Sequence, residues 1–174
     1  LARSAFVSVT LLKSAVDTKV ISRAAMDSFL NSIETVAHEF INDAKKVADN
    51  QKSWSTFVDR YGHLRPGTYD ITSEAYADNM EKFLRPVVDQ ARESRQESIE
   101  KNNDWLNERE SFSNALSTMG IIEDPDTVER FLRGAIEGRE YAKFIFSRNL
   151  SAALDLISEY GKIHGLNRTQ LANI

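Results

Sequence analysis

The sequence of 174 residues has no cysteine, only three prolines and only seven scattered glycines. Without cysteine the chain can form no disulfide framework and no cysteine-ligated zinc site. Without a glycine-rich stretch it has neither the Walker phosphate-binding loop nor the Gly-x-Gly-x-x-Gly dinucleotide pattern. A run of about 18 apolar residues, as in a membrane-spanning helix, is also missing, and no signal peptide is visible. We therefore expect a cytoplasmic protein with no membrane partner.

An excess of positive charge is missing as well. The chain carries 22 Lys and Arg against 26 Asp and Glu, for a formal net charge of −4. A nucleic-acid-binding domain is expected to present a basic patch, so we predict no nucleic-acid partner. Hydrophobic residues make up 41% and charged residues 28% of the chain, which is ordinary for a globular protein. Residues 1–174 are long enough to bury a core and are predicted to form a single helical domain.

Apolar residues recur at intervals of three and four along most of the chain, which predicts helices rather than strands. The clearest of these seams, interpreted as one amphipathic helix, comprises Met26, Leu30, Ile33, Ala37, Phe40, Ala44 and Val47. The predicted fold class is all-α. We expect a multi-helix bundle of about five to seven helices, antiparallel where the connections are short.

Polar and small residues indicate where the helices begin and end. Ser22 and Ser53 are predicted N-caps, because a serine hydroxyl can accept a hydrogen bond from a free amide of the first turn. Asp124 followed by Pro125 predicts the start of the longest helix. Gly161 is predicted to end that helix, because glycine tolerates the left-handed backbone found beyond a helix terminus.

The segment around residues 85–108 is the least certain part of the pattern. A short helix is predicted to start at Ser73 and to be interrupted by Pro86. Charged and amide side chains then dominate, so residues 85–108 are predicted to be either a solvated helix or a mobile polar segment. The chain starts inside an apolar-periodic stretch and stops soon after a capping pattern at Asn167. Both ends therefore look cut from a longer chain.

One break between helices gathers several chemically useful side chains. Residues 61–71, here called the motif loop, contain His63, Arg65 and Tyr69 around a Pro-Gly turn. His63 is either a general acid/base or a loop anchor bonded to the backbone, since its reference pKa lies near neutrality. Tyr61 and Tyr69 are expected to pack with their hydroxyls satisfied rather than to bind a ligand. Alternatively, the whole loop is only a rigid connector.

Two further positions carry charge or amide groups within an apolar helix. Arg139 falls on the seam between Ala135 and Ala142, where a charge must be paired or must face a cavity. It is either half of an ion pair with a neighbouring helix or a contact for an anionic substrate. Arg148 and Asn149 are either a surface or capping pair or part of the same substrate site.

Two stretches of the chain resemble one enzyme family. Residues 59–71, Asp-Arg-Tyr-Gly-His-Leu-Arg-Pro-Gly-Thr-Tyr-Asp-Ile, are similar to a loop of the phosphoenolpyruvate synthase/pyruvate phosphate dikinase-like phosphotransferases. Residues 135–144 and 148–151 also resemble the helical region of that family. In the family this region lies between the ATP-grasp domain and the domain that carries the phosphorylated histidine. The resemblance extends from about residue 6 to residue 171.

The resemblance implies a helical substrate-binding or linker segment of an ATP-dependent phosphotransferase, which is not catalytic by itself. The parent would use ATP and Mg²⁺ and transfer phosphate through a phosphohistidine, with its ATP-grasp and phosphohistidine domains as partners and a small molecule as acceptor. No catalytic, cofactor-binding or metal-binding residue is expected in this segment. The substrate-binding residues implied are His63, Arg65, Tyr69, Arg139, Arg148 and Asn149. The alternative is a stand-alone helical interaction or scaffold module with no role in phosphotransfer.

Overall fold

The computed structural model describes residues 2–93 and 104–174, and these residues form helices joined by turns, without any strand. In chain order the helices are α1 (Ala2–Asp17), α2 (Arg23–Asn31), α3 (Val36–Ala48), α4 (Trp54–Tyr61), α5 (Met80–Phe83), α6 (Arg85–Glu93), α7 (Asp104–Thr118), α8 (Pro125–Ile163) and α9 (Arg168–Leu171). The predicted all-α class is confirmed. The described residues contain nine helices, against the five to seven predicted, and the excess is due to α5 and α9, which are single turns of four residues each. The antiparallel arrangement stays a prediction.

The chain divides into two compact units. Unit 1 comprises Leu1–Val36 and Ser98–Tyr141, and unit 2 comprises Ala37–Glu97 and Ala142–Ile174. The sequence pattern does not reveal this division, because the apolar seam of α8 continues from one unit into the other. Within the described ranges, none of the helices combines the length and the apolarity that a membrane crossing would require.

Three aromatic side chains contact one another in the core of unit 1. The Trp105 ring lies between those of Phe29 and Phe112, with centroid distances of 4.6 and 5.8 Å. Its indole nitrogen donates a hydrogen bond of 3.0 Å to Glu129. Burial would raise the pKa of Glu129, but hydrogen bonds from Arg133 and Trp105 outweigh it and lower the pKa. A half-buried carboxylate beside this core is therefore held charged by its partners.

The prediction of one continuous helix over residues 26–47 is wrong. The structure interrupts it between α2 and α3, where the Ser32 hydroxyl donates to the Phe29 carbonyl at 2.7 Å. The amide of Thr35 then bonds to the carbonyl of Ile33 at 3.0 Å. Serine and threonine stop helices in this way, because they offer the backbone other partners. Ile33 is buried in the core of unit 1 all the same, whereas the residues of the seam from Ala37 onward belong to unit 2.

The predicted helix starts are confirmed. The side chains of Ser22, Ser53 and Asp124 each accept a hydrogen bond from the backbone amide three residues later, at 3.0, 3.1 and 3.0 Å. Pro125 is the first residue of α8. Local hydrogen bonding thus marks all three helix starts, and Ser22 is held in addition by Glu108.

The predicted end of α8 at Gly161 is wrong by two residues. The helix continues to Ile163 and ends through Gly165, whose φ of +75° is left-handed. The amide of Leu166 bonds back to the Gly161 carbonyl at 2.9 Å, which is a Schellman ending. Gly161 has another role, because a Cβ at this position would lie 2.5 Å from the Cδ1 atom of Leu171. Its small size allows α9 to pack closely on α8.

The prediction for residues 73–86 is also wrong. Helix α5 begins only at Met80, where the Asn79 side chain accepts a hydrogen bond from an amide of the first turn. Pro86 does not interrupt a helix but lies in the first turn of α6, where its missing N–H leaves no bond unmade. Of the polar segment 85–108, residues 85–93 and 104–108 are helical. Residues 94–103 lie outside the described residues.

Candidate functional site

The motif loop returns on itself and pairs with the segment that follows it. The amide of Ala77 donates to the Gly62 carbonyl at 2.9 Å, and the amide of Tyr76 donates to the Leu64 carbonyl at 2.8 Å. A Cβ at Gly62 would lie 2.6 Å from the Val58 carbonyl oxygen and 2.9 Å from the Cβ of Ala77. Only glycine fits there, because the two chain segments approach so closely.

The turn of the motif loop is held by its own polar groups. The amide of Gly67 donates to the Ser73 hydroxyl at 3.1 Å. The hydroxyl and the amide of Thr72 both donate to Asp70, at 2.7 and 2.8 Å, and these bonds lower the pKa of the Asp70 carboxyl. Gly67 again has no space for a side chain, since a Cβ would lie 2.9 Å from that of Asp70. This arrangement of an aspartate bonded two residues ahead is an Asx turn.

Arg65 anchors the motif loop on α8. Its side chain is only 1% exposed. The Nε atom donates to the Ser151 hydroxyl at 2.9 Å, and the guanidinium also donates to the Ser73 carbonyl at 2.6 Å and to Asp155 at 2.5 Å. The fork of donors thus joins the motif loop and Ser73, which follows it, to the helix. Its interactions are with protein groups.

A second arginine completes this anchor. Arg168 donates to the Ser158 hydroxyl at 3.1 Å, to Asp155 at 3.3 Å and to the Ser73 carbonyl at 3.5 Å. Asp155 therefore lies between two guanidinium groups, and Ser73 accepts from both. We call Arg65, Asp155 and Arg168 the arginine cluster. It links the motif loop, α8 and α9.

Sequence reasoning missed Asp155 and Arg168. One signal was available in the chain: Ser151, Asp155 and Ser158 follow one another at steps of four and three, which places them on one face of a helix. Both serines are buried. A buried polar stripe requires partners, and the arginine cluster supplies them.

His63 occupies a different environment from Arg65. Its ring meets the Phe144 ring edge-on, with centroids 4.8 Å apart. Burial lowers the pKa of His63, and the positive charge of Arg148 lowers it further. The carbonyls of Phe144 and Arg60 oppose this only partly, and neither ring nitrogen makes a hydrogen bond of normal geometry. The imidazole is therefore neutral near pH 7.

Arg148 and Asn149 lie on the exposed side of α8. Arg148 donates to the backbone carbonyl of Arg60 at 3.3 Å. That carbonyl belongs to the last turn of α4, where helical carbonyls have no partner within the helix. Of the alternatives for this pair, the contact of Arg148 favours capping.

The two tyrosines of the motif loop differ. Tyr61 is fully buried, donates to Asp43 at 2.9 Å and accepts from Arg60 at 3.1 Å. Burial raises the pKa of Tyr61, and the bond to Asp43 raises it further. The expectation of a packed, satisfied hydroxyl is confirmed for Tyr61. It is wrong for Tyr69, which is 75% exposed and only approaches the Phe146 ring at 6.5 Å.

Asp43 is a buried carboxylate that accepts a hydrogen bond from Tyr61, the last residue of α4. Lys52 donates to it at 2.5 Å, in addition to the bond from Tyr61. Burial alone would raise the pKa of Asp43, but these hydrogen bonds and the charge of Lys52 outweigh it and lower the pKa. The carboxylate is therefore ionised in the folded state at neutral pH.

Arg139 belongs to unit 1, whereas the other five predicted substrate-binding residues belong to unit 2. Its guanidinium lies 4.9 Å from the centre of the Phe6 ring, and one nitrogen is 3.4 Å from Glu140. The side chain is 34% exposed. The charge on the seam is therefore accommodated by an aromatic face and an adjacent acid. A substrate-binding role for these six residues stays a prediction.

The arrangement in unit 2 positions a loop by charge-assisted hydrogen bonds, which are stronger than neutral ones. Within residues 2–93 and 104–174, no three side chains of the metal-ligating type are grouped so that they could hold a metal ion.

Comparison with protein-family models, with curated proteins and with solved structures found no match to this chain.

Proposed function

We propose that this chain is a helical substrate-binding or linker segment of a phosphoenolpyruvate synthase/pyruvate phosphate dikinase-like phosphotransferase, working in the cytoplasm. The parent protein uses ATP and Mg²⁺, and its ATP-grasp and phosphohistidine domains are the partners of this segment. The segment positions the acceptor or the neighbouring domains and does not transfer phosphate by itself.

The construction of the motif loop is the observation that supports this proposal. The residues that resemble the family are those on which the loop depends. Gly62 and Gly67 occupy positions where no side chain fits, and the buried guanidinium of Arg65 is bonded to α8. A loop fixed at so many points is suited to hold an exposed group at a defined position. Tyr69 is that group, since its ring extends into solvent.

Within the proposal four of the six predicted residues divide by accessibility. Arg65 is a positioning residue, because its donors are directed at protein atoms. Tyr69, Arg148 and Asn149 are exposed and can reach a substrate or a neighbouring domain.

The decisive experiment compares the isolated chain with the complete gene product. We expect the gene to encode an ATP-grasp domain before this segment and a phosphohistidine domain after it. Incubated with radiolabelled ATP, the complete product should become labelled on a histidine outside residues 1–174, and the isolated chain should stay unlabelled. Flanking regions of another kind, or labelling of the isolated chain, would overturn the proposal.

A matched pair of variants tests the substrate-binding part of the proposal. In the complete product, Tyr69→Ala should raise the KM for the acceptor or for ATP without lowering the urea midpoint. Tyr141→Ala removes another exposed tyrosine, from unit 1, and should leave KM unchanged. Equal effects of the two variants would remove Tyr69 from the proposed site.

A stand-alone helical interaction module is the second candidate. It is favoured by apolar side chains exposed along the C-terminal half of α8, namely Phe146, Leu156, Tyr160 and Ile163. Several exposed apolar side chains along one helix are typical of a surface that contacts another protein. The gene comparison separates the two candidates, because only the first requires the flanking catalytic domains.

A further inference from the structure

A cleft of about 420 Å³ opens in unit 2 between α6 and the chain that joins α3 to α4. This volume lies within the range of sites for small molecules. The side chains used below are Lys52, Ser53, Trp54, Arg85 and Arg92, and we call this site the basic cleft. It is separate from the arginine cluster, since the two share no residue.

The charge of the basic cleft has one sign. Among the described residues that line it, three side chains are cations and none is a carboxylate. Arg85 pairs with Glu81 at 3.3 Å and Arg92 with Asp89 at 3.8 Å, each within one helical turn of exposed surface. Exposed pairs of this kind contribute little and can be exchanged for a ligand anion.

The walls of the cleft suit a ligand that is not purely ionic. The Arg85 guanidinium lies 4.4 Å from the centre of the Trp54 ring. Stacking holds that guanidinium in place and leaves the donors at its edge available to an oxyanion. Val47, which is partly exposed, adds apolar surface. An anion with an apolar or flat part would meet both kinds of wall.

The start of α4 adds to the same field. Ser53 is the N-cap of this helix of eight residues and also lines the cleft. The amides of the first turn and the helix dipole favour a negative charge near this end. Lys52, which lies beside it, is held by Asp43. The two arginines of α6 and one helix terminus thus point to the same ligand chemistry.

We propose that the basic cleft binds a small phosphate monoester whose organic part is flat or apolar. The phosphate is bound by Arg85 and Arg92, since arginine matches two phosphate oxygens at once. The organic part packs on Trp54 and Val47. This inference does not depend on the proposed function of the chain.

The test uses phenyl phosphate as the probe and the two tryptophans as reporters. In protein labelled with 5-fluorotryptophan, ¹⁹F NMR gives one signal each for Trp54 and Trp105, and Trp54→Phe assigns them. Phenyl phosphate should shift the Trp54 signal saturably and leave that of Trp105 in place. Inorganic phosphate should bind more weakly because it lacks the ring, and phenol because it lacks the charge.

Two variants with the same change of charge make the test specific. Arg92→Gln should weaken the binding of phenyl phosphate about tenfold, the effect of losing one charge-assisted hydrogen bond. Arg85→Gln should do the same. Arg23→Gln is the matched control, because Arg23 is exposed, pairs with Asp27 four residues later at 3.2 Å and lies in unit 1. The control should bind like the wild type.

Two results would overturn the proposal. One is a Trp54 signal that does not shift saturably up to about 10 mM phenyl phosphate, a range well above a millimolar dissociation constant. The other is equal weakening by Arg92→Gln and Arg23→Gln, which would indicate attraction by overall charge. Native positions of both ¹⁹F signals verify that Arg92→Gln and Arg23→Gln are folded. Arg85→Gln changes the surroundings of the Trp54 ring itself, so its folding is verified by a wild-type urea midpoint instead.

Discussion

Removal of Arg65 should destabilise unit 2 by an amount that its surroundings define. Breaking a buried ion pair costs about 3–5 kcal/mol when the remaining charge is left without a partner. Here Asp155 keeps Arg168 at 3.3 Å and is 42% exposed, and the Ser73 carbonyl keeps a contact to Arg168 at 3.5 Å. Of these acceptors, only the buried Ser151 hydroxyl has no second bond from Arg168 to replace the one from Arg65. We therefore expect Arg65→Ala to cost about 3 kcal/mol, the lower end of that range.

A lysine at the same position separates charge from geometry. Arg65→Lys keeps the positive charge, but a single ammonium group cannot reach three acceptors that the guanidinium fork spans. We expect it to cost about 2 kcal/mol, as for the loss of one or two charge-assisted bonds. With a urea slope of about 2 kcal/mol per M, the midpoint should fall by about 1.5 M for alanine and about 1 M for lysine. The ¹⁹F signal of native Trp54 follows the unfolding of unit 2.

Arg92→Ala is the control for these variants. Arg92 is also an arginine of unit 2, but its side chain is 60% exposed and its pair with Asp89 spans 3.8 Å. Its removal should change stability by no more than about 0.5 kcal/mol. If Arg65→Ala cost no more than this control, the arginine cluster would not stabilise the motif loop. If Arg65→Lys matched the wild type, charge alone would suffice and the argument from the guanidinium fork would fail.

Three further changes have defined outcomes. Gly161→Ala should displace Leu171 and speed amide exchange in α9, whereas Gly134→Ala, in open space on the same helix, should stabilise by about 1 kcal/mol; unchanged exchange at Leu171 would contradict this. The folded pKa of Asp43 is lowered, because its hydrogen bonds outweigh burial, so its stabilisation is present above about pH 4 and is lost below it. The difference in urea midpoint between wild type and Asp43→Asn should therefore shrink in acid, and a constant difference would refute it. Arg139→Ala should lower the free energy of unfolding by no more than about 1 kcal/mol, and a loss above about 3 would indicate a buried pair instead.

The features predicted correctly from the sequence are those decided within one helical turn. Ser22, Ser53 and Asp124 cap helices by accepting hydrogen bonds from the amide three residues later. Both partners of each bond therefore lie within a few residues of sequence. The break at Ser32 was missed although it too is local. The apolar spacing of the sequence continues across Ser32 and predicts one helix, whereas the serine hydroxyl bonds to the Phe29 carbonyl where the helix ends.

The two glycines near the end of α8 show where local reasoning stops. Gly161 and Gly165 are equally suited by sequence to end a helix. Only Gly165 has the left-handed backbone, and Gly161 is needed instead because Leu171 approaches it. That approach is a tertiary contact between α9 and α8. No pattern of residue types within one helix could assign the two roles.

The motif loop carries the same argument to the candidate site. An arginine in a polar loop suggests a ligand contact, but the partners of Arg65 in α8 lie 86 and 90 residues later in the chain. Sequence order gives no means of joining them. The contacts of Arg65 with α8 show that the arginine and glycines of the motif set the path of the backbone. An exposed side chain such as Tyr69 is then the part of the motif that can contact another molecule. A resemblance confined to the positioning residues would therefore report a shared loop geometry, whereas the identity of the substrate would be decided at the exposed positions.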